Sequence, residues 1–187
     1  MHPATVESES SEQHIIRHSL ENPIASSTLE EIVRPGEKIV IVTSDITRPM
    51  PSYKVLPELL EKLSEIGVAD EDLMIVFGLG NHREQTVEEM RKLVGDEIFD
   101  RIECVDSDQQ DIVNLGTTSR GTPVDIFRPV AEADRRICLG NIDYHYFAGY
   151  SGGYKAIMPG VSTESAIQMN HRHMVQELAS TGNIESN

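Results

Sequence analysis

Gly140-Asn-Ile-Asp-Tyr-His145-Tyr-Phe-Ala-Gly-Tyr-Ser-Gly-Gly-Tyr-Lys155-Ala-Ile-Met-Pro-Gly160 sets one histidine and one lysine in a glycine-rich run that cannot be a core element. Glycine permits positive φ and close backbone approach, so such a loop suits wrapping something small. Upstream, Arg136-Ile-Cys-Leu-Gly140 reads as a strand; downstream, Ser162-Thr-Glu-Ser-Ala-Ile-Gln-Met-Asn-His171 reads as a capped helix. Strand, glycine loop and helix in that order predict an anionic ligand held at the helix N-terminus.

Working outward, the pattern repeats. Lys38-Ile-Val-Ile-Val-Thr43 and Leu73-Met-Ile-Val-Phe77 are short apolar runs of the kind buried on both faces of a parallel sheet. Between them, Leu56, Leu59, Leu60, Leu63 and Ile66 recur at helical spacing, and Gly67 ends that helix. Weak helical signals over 15–33 are broken by Pro23, and Thr86 with Glu89 forms a capping box for a helix to Val94. Short strands follow at 102–105 and 111–115. The turn Ser119-Arg-Gly-Thr-Pro123 then makes a hairpin of the latter with Val124–Phe127. Strands alternating with helices predict an α/β fold, a three-layer Rossmann-like domain with a largely parallel sheet. The polar loops after at least three strands should then meet in one crevice. Residues 1–14 and 180–187 are polar and aperiodic and read as disordered tails, leaving 15–179 as one domain.

Composition narrows the function. The chain has 187 residues, 39% hydrophobic but only 5% aromatic, so aliphatic side chains must build the core. A formal charge of −15 repels nucleic-acid backbones and anionic membranes, excluding both as partners, yet allows a small anion at a locally basic site. No apolar run reaches the roughly 20 residues of a membrane span, and no signal peptide heads the chain, so a cytoplasmic protein is expected. Cys104 and Cys138 lie in apolar strand contexts and are read as two buried thiols of a reducing compartment.

Three loops hold candidate chemistry. In Asp45-Ile-Thr-Arg48-Pro-Met-Pro51 a proline-fixed arginine can present its planar fork to a carboxylate or phosphate, the alternative being a local Asp45–Arg48 pair. Gly78-Leu-Gly-Asn-His82-Arg83 lacks the third glycine of a dinucleotide fingerprint but puts His82 just past a strand end, as an acid/base or a solvated loop residue. The glycine loop lacks the Gly-Lys-Ser/Thr of a phosphate-binding P-loop, which rejects an ATPase; its lysine suits a covalent cofactor instead. No two histidines have zinc-helix spacing and no Cys-x-x-Cys exists, so any metal on His171 needs donors from elsewhere; His173 has nothing to recommend it.

Taken together, Ser44–Pro51, Gly78–His82 and His145-Tyr-Phe-Ala-Gly-Tyr-Ser-Gly-Gly-Tyr-Lys155-Ala-Ile-Met-Pro-Gly-Val…Asn170-His171 resemble the nickel-pincer lactate racemase family, from about Asn22 to His171. The resemblance implies a nickel-pincer nucleotide, a pyridinium-3-thioamide-5-thiocarboxylic acid mononucleotide with nickel, joined to Lys155 as a thioamide. His171 falls at the nickel ligand, and soft sulfur donors with one imidazole suit square-planar nickel. His82 and His145 fall at the two acid/base histidines, one taking the hydroxyl proton of a 2-hydroxy acid while hydride leaves its α-carbon, the other serving the opposite face. Arg48 falls at the carboxylate-binding arginine. Asp45, in the same motif, would orient Arg48 or contact the cofactor, and Ser151, Gly152 and Gly153 would cradle the phosphate with their N–H groups.

The expected function is thus a 2-hydroxy-acid racemase or epimerase that depends on cofactor-maturation proteins and is apo when made without them. Family members are about twice this length, with a second domain that closes over the site. The chain is therefore expected to be the cofactor-bearing part, inactive alone. Two other readings use the same residues: a non-catalytic nucleotide or phosphate-ligand binding module, which would not need His82 and His145 together, and a Schiff-base enzyme of the pyridoxal phosphate type on Lys155.

Overall fold

Ser11 ends the polar N-terminal stretch by accepting a hydrogen bond from the His14 N–H, and helix α1 (Glu12–Glu21) follows. The structure, a computed structural model, describes residues 10–185. The helix starts at Glu12, inside the tail expected over 1–14, and residues 1–9 lie outside the described residues. Ion pairs pin α1 to the body, Arg17 to the buried Glu58 and Glu12 to Lys54.

After the single turn α2 (Leu29–Ile32) comes strand β1 (Ile39–Ser44), and then α3 (Ser52–Ile66). Leu56, Leu59, Leu60 and Leu63 of α3 are all at most 3% exposed. Burying each such side chain contributes about 1.5–3 kcal/mol. Gly67, at φ 96°, closes the helix in the left-handed region that a side chain would strain. β2 (Leu73–Gly78), α4 (Val87–Val94) and α5 (Asp96–Arg101) lead to β3 (Glu103–Asp106). The expected capping box of Thr86 and Glu89 starts α4. The hairpin is also as expected, β4 (Ile112–Thr117) pairing antiparallel with β5 (Pro123–Phe127). Short α6 (Arg128–Glu132) returns the chain to β6 (Arg135–Cys138). Then come β7 (Tyr144–His145), β8 (Gly149–Tyr150), a 3-10 turn at Gly153–Ala156 and α7 (Glu164–His171).

The main sheet is wholly parallel, in the order β3-β2-β1-β6. Successive residues of β1 face opposite ways: Ile39 and Ile41 join the layer of α3, α4 and α5, while Val40 and Val42 meet Ile126, Phe127, Val130 and Val161. The fold is therefore α/β in three layers, with one face under helices and the other under the hairpin, α6 and the chain before α7. From β1 the chain winds outward to β2 and β3, then crosses back to β6 on β1's other side. That reversal is a topological switch point, which opens a crevice beyond the C-terminal ends of β1 and β6.

Cys104 in β3 and Cys138 in β6 occupy opposite edges of this sheet. Three strand spacings, about 14 Å, separate them, so they cannot bridge. Cys104 is half-buried, but Cys138 is exposed rather than buried as expected. Residues 180–183, expected in a free tail, touch the body: the N–H of Gly182 donates to Gly149 O at 3.0 Å. Residues 186–187 lie outside the described residues. Among the described residues no helix is long and apolar enough to cross a membrane.

Candidate functional site

The loop after β1 is pinned at both ends. Thr43, at the end of β1, shares a buried 2.6 Å hydrogen bond with Ser52 at the start of α3. Between them the Ile46 N–H donates to Gln85 Oε1, and Gln85 is itself held by Asp106, through its backbone N–H at 2.7 Å and its side-chain amide at 2.8 Å. The loop's arginine, Arg48, has its guanidinium in no ion pair among the described residues, although it lines the crevice.

Asp45 is 2% exposed and faces the loop after β2 rather than Arg48. Its Oδ1 accepts from the Thr47 hydroxyl at 2.7 Å, and its Oδ2 lies 2.5 Å from Nδ1 of His82. A buried carboxylate only accepts, so the imidazole proton belongs on Nδ1, and Nε2 is left as the acceptor. His82 is carried by a turn in which its own N–H bonds Leu79 O, while the Gly80 N–H bonds Gly160 O. The backbone around Gly160 packs so closely on β2 that a Cβ on Gly78 would sit 3.1 Å from Gly160 Cα.

His145 has the opposite arrangement. The β7–β8 turn brings the Ala148 N–H to 3.2 Å from its Nδ1, which makes Nδ1 the acceptor and puts the proton of the neutral ring on Nε2. Burial first, then the positive charges of Lys155, Arg48 and His171, hold its pKa below the ordinary value, so it is neutral at physiological pH. Phe147 stands edge-on to His145, with ring centres 4.6 Å apart, and meets His171 at 5.1 Å. Lys155 Nζ lies 6.0 Å from the same ring. Lys155 is half-buried, and burial with Arg48 nearby lowers its pKa to about 8. His171 is also lowered, by burial and then by Lys155.

One crevice of about 310 Å³ therefore collects Asp45, Arg48, His82, His145, Ser151, Gly152, Lys155 and His171. Its walls come from the ends of β1, β2 and β6 together with α7. Some expected roles change. Asp45 pairs with His82 and not with Arg48. The Ser151 N–H donates to Asp143 O at 2.8 Å and its hydroxyl to Asn141 O at 2.9 Å, so Ser151 braces the loop instead of offering a free N–H. The N–H groups of Gly152 and Gly153 have no partner among the described residues, but Gly153 is not on the crevice wall. Nor does the N-terminus of α7 point its N–H groups at a ligand. The Ala166 N–H donates to Thr163 Oγ1 and the Glu164 N–H to Gln109 Oε1, and it is the C-terminal turn, with His171, that reaches the crevice. Sequence reading missed Thr47, Gln85, Asp106 and Phe147. Phe147 lies inside the motif already singled out; Gln85 and Asp106 carried no local signal.

The residues fit a lysine-linked nucleotide that brings its own metal donors. Lys155 is an amine with an appreciable neutral fraction, open to acylation. Gly152, at φ 80° and with a would-be Cβ 3.0 Å from Asn141 O, leaves the backbone bare beside it. Among the described residues no three His, Cys, Asp or Glu side chains converge as a metal site, so a metal on His171 would take its remaining ligands from the bound group.

Residues 1–182 match the family described as the lactate racemase N-terminal domain. The lactate racemase of Lactiplantibacillus plantarum is 38% identical over 189 residues, covering 98% of this chain and 44% of the relative. That of Thermoanaerobacterium thermosaccharolyticum is 35% identical over 182 residues, covering 95% and 42%. The chain thus spans less than half the length of these curated relatives. The lactate racemase apoprotein structure from T. thermosaccharolyticum superposes with a TM-score of 0.87 at 34% identity, over 95% of this chain and 43% of that one. A Thermotoga maritima protein gives 0.72 at 21% identity, over 91% and 43%, a likeness of fold alone. The chain belongs to the lactate racemase N-terminal domain family.

Proposed function

We propose that this chain is the cofactor-bearing domain of a 2-hydroxy-acid racemase or epimerase, with a nickel-pincer mononucleotide on Lys155 and its nickel on His171. The observation that carries the reading is the convergence of Lys155, His171, Arg48 and two histidines of opposite proton arrangement on one crevice. When bound, that group supplies an acceptor for the substrate's α-hydride and returns it to either face. The chain's own residues do the rest. Arg48, free of other carboxylates, seats the substrate's carboxylate. His82 takes the hydroxyl proton at Nε2, because Asp45 keeps the other proton on Nδ1. His145 presents Nε2–H as a hydrogen-bond donor to an oxygen on its side of the substrate, and gives up that proton only when the ring carries a second one. Turnover in the reverse sense exchanges the two roles.

A binding module without catalysis would use the same glycine loop but gains nothing from two oppositely arranged histidines. The deciding experiment co-expresses the longer protein with the cofactor-maturation proteins this reading requires, then takes intact mass and maps peptides around Lys155. A nickel- and sulfur-containing mononucleotide on Lys155 is expected. Unmodified Lys155, in cells where a known racemase is loaded, would sink the reading.

A further inference from the structure

We propose that the unloaded crevice captures short 2-oxo acids covalently, as an imine between Lys155 Nζ and the acid's carbonyl carbon, with Arg48 holding the carboxylate. This inference stands on the crevice and these two side chains, independently of the nickel-pincer reading.

Lys155 differs from other lysines of the chain. Lys38, Lys54 and Lys62 each rest on a carboxylate, Asp72, Glu12 and Glu30 respectively, and all three have raised pKa values for that reason. Lys155 has no ion pair or hydrogen bond on Nζ among the described residues, only the face of Phe147 at 6.0 Å. Burial and Arg48 bring it to about 8, which leaves about a tenth of it neutral at pH 7, whereas an ordinary lysine is neutral in less than about one part in a thousand. Neutral amines on carbonyl carbons make Schiff bases, and lysines desolvated beside another cation are the ones that do so readily. The second requirement is something to seat the acid. Arg48 lines the same crevice, acts on Lys155 electrostatically, and has no carboxylate partner among the described residues. At about 310 Å³ the crevice accommodates a three- or four-carbon acid.

The chemistry balances without any further reagent. The nitrogen lone pair forms the C–N bond, the carbonyl π pair moves to oxygen, and that oxygen takes the first of the two protons the amine nitrogen releases. The nitrogen gives up the second, the hydroxyl leaves as water, and C=N forms. Amine and ketone give imine and water, with nothing oxidised or reduced.

The test uses the 187-residue chain made without cofactor-maturation proteins, incubated with pyruvate and sodium cyanoborohydride and mapped by mass spectrometry at Lys38, Lys54, Lys62, Lys92 and Lys155. The reduced adduct should favour Lys155 over Lys38, Lys54 and Lys62 by at least about tenfold. Arg48→Gln should cut that preference about tenfold. Should the variant fold poorly, wild-type protein with acetone in place of pyruvate serves instead: without a carboxylate to seat, the preference for Lys155 must fall by a similar factor. Adducts spread evenly over the lysines overturn the proposal. So does a preference that survives both the loss of Arg48 and the loss of the carboxylate.

Discussion

Oδ2 of Asp45 and Nδ1 of His82 lie 2.5 Å apart, joining the loops after β1 and β2 through a carboxylate that is almost wholly buried. This contact decides which nitrogen of His82 carries the proton. An amide in place of the carboxylate can donate to Nδ1 and hold the wrong tautomer. Asp45→Asn should therefore lower kcat of the loaded, longer protein by about 10²–10⁴-fold, the usual worth of a positioned acid/base. A readout on this chain alone is the 15N chemical shift of the His82 ring: Nδ1 should be protonated in wild type and unprotonated in the variant. An unchanged tautomer would remove Asp45 from the mechanism.

Lys155 makes stability depend on pH in a direction opposite to most lysines here. Its folded pKa of about 8 lies below the ordinary 10.5, so between these values the unfolded chain binds more protons than the native one. Stability from this residue therefore rises with pH across that window, and below about 8 the native state carries the cost of a half-buried ammonium. Partial exposure of the side chain screens the effect. Denaturant midpoints at pH 7 and pH 9.5 for wild type and Lys155→Met should show the variant gaining relative to wild type at pH 7 and losing much of that gain at pH 9.5. A pH-independent difference contradicts this account.

Much of this was legible in the sequence because its causes are local. The β-branched run Ile39–Val42, the helical spacing of Leu56 to Leu63 and the capping box at Thr86 each set an element from neighbouring residues, and the α/β sheet follows from their alternation. The crevice could be anticipated because loops after parallel strands gather at one edge. What the sequence did not reveal depends on contacts between distant segments. Nothing near Asp45 indicates that its partner is His82 rather than Arg48, three residues away. Only the parallel register of Ser44 with Gly78 brings the two loops side by side. Likewise Gln85, thirty-nine positions from Ile46, holds that loop through one amide oxygen. The cap of α7 was expected, but the use of its Glu164 N–H by Gln109, far back in the chain, in place of a ligand was not.

Gly160 makes a tight backbone contact under the site. A Cβ there would lie 2.2 Å from Ala156 O, and the same stretch presses on Gly78 of β2. No side-chain rotation relieves a clash with backbone. Gly160→Ala should cost about 1–3 kcal/mol, a fall in Tm of about 3–10 °C for a chain of this size, measured by calorimetry. Gly36→Ala, where a Cβ would meet nothing within 4 Å, is a useful comparison for the strain of a positive φ alone. A Gly160→Ala protein as stable as wild type would mean that the turn before α7 is looser than its packing implies.

Phe147 meets three of the functional groups at once, edge-on to His145 and His171 and beneath Lys155. It donates no proton and coordinates nothing, so its contribution lies in fixing two imidazoles and shielding an amine from water. Removing the ring should free His171 to turn and rehydrate Lys155, while the core stays intact because Phe147 is only half-buried. In protein co-expressed with cofactor-maturation proteins, Phe147→Ala should lower bound nickel per chain by about tenfold, comparable to losing an outer-shell partner of a metal ligand, with Tm changed little. Phe147→Tyr, which keeps the ring, should retain most of the nickel. If Phe147→Ala holds nickel as well as wild type, the aromatic contact positions nothing, and His171 must be oriented by its own helix.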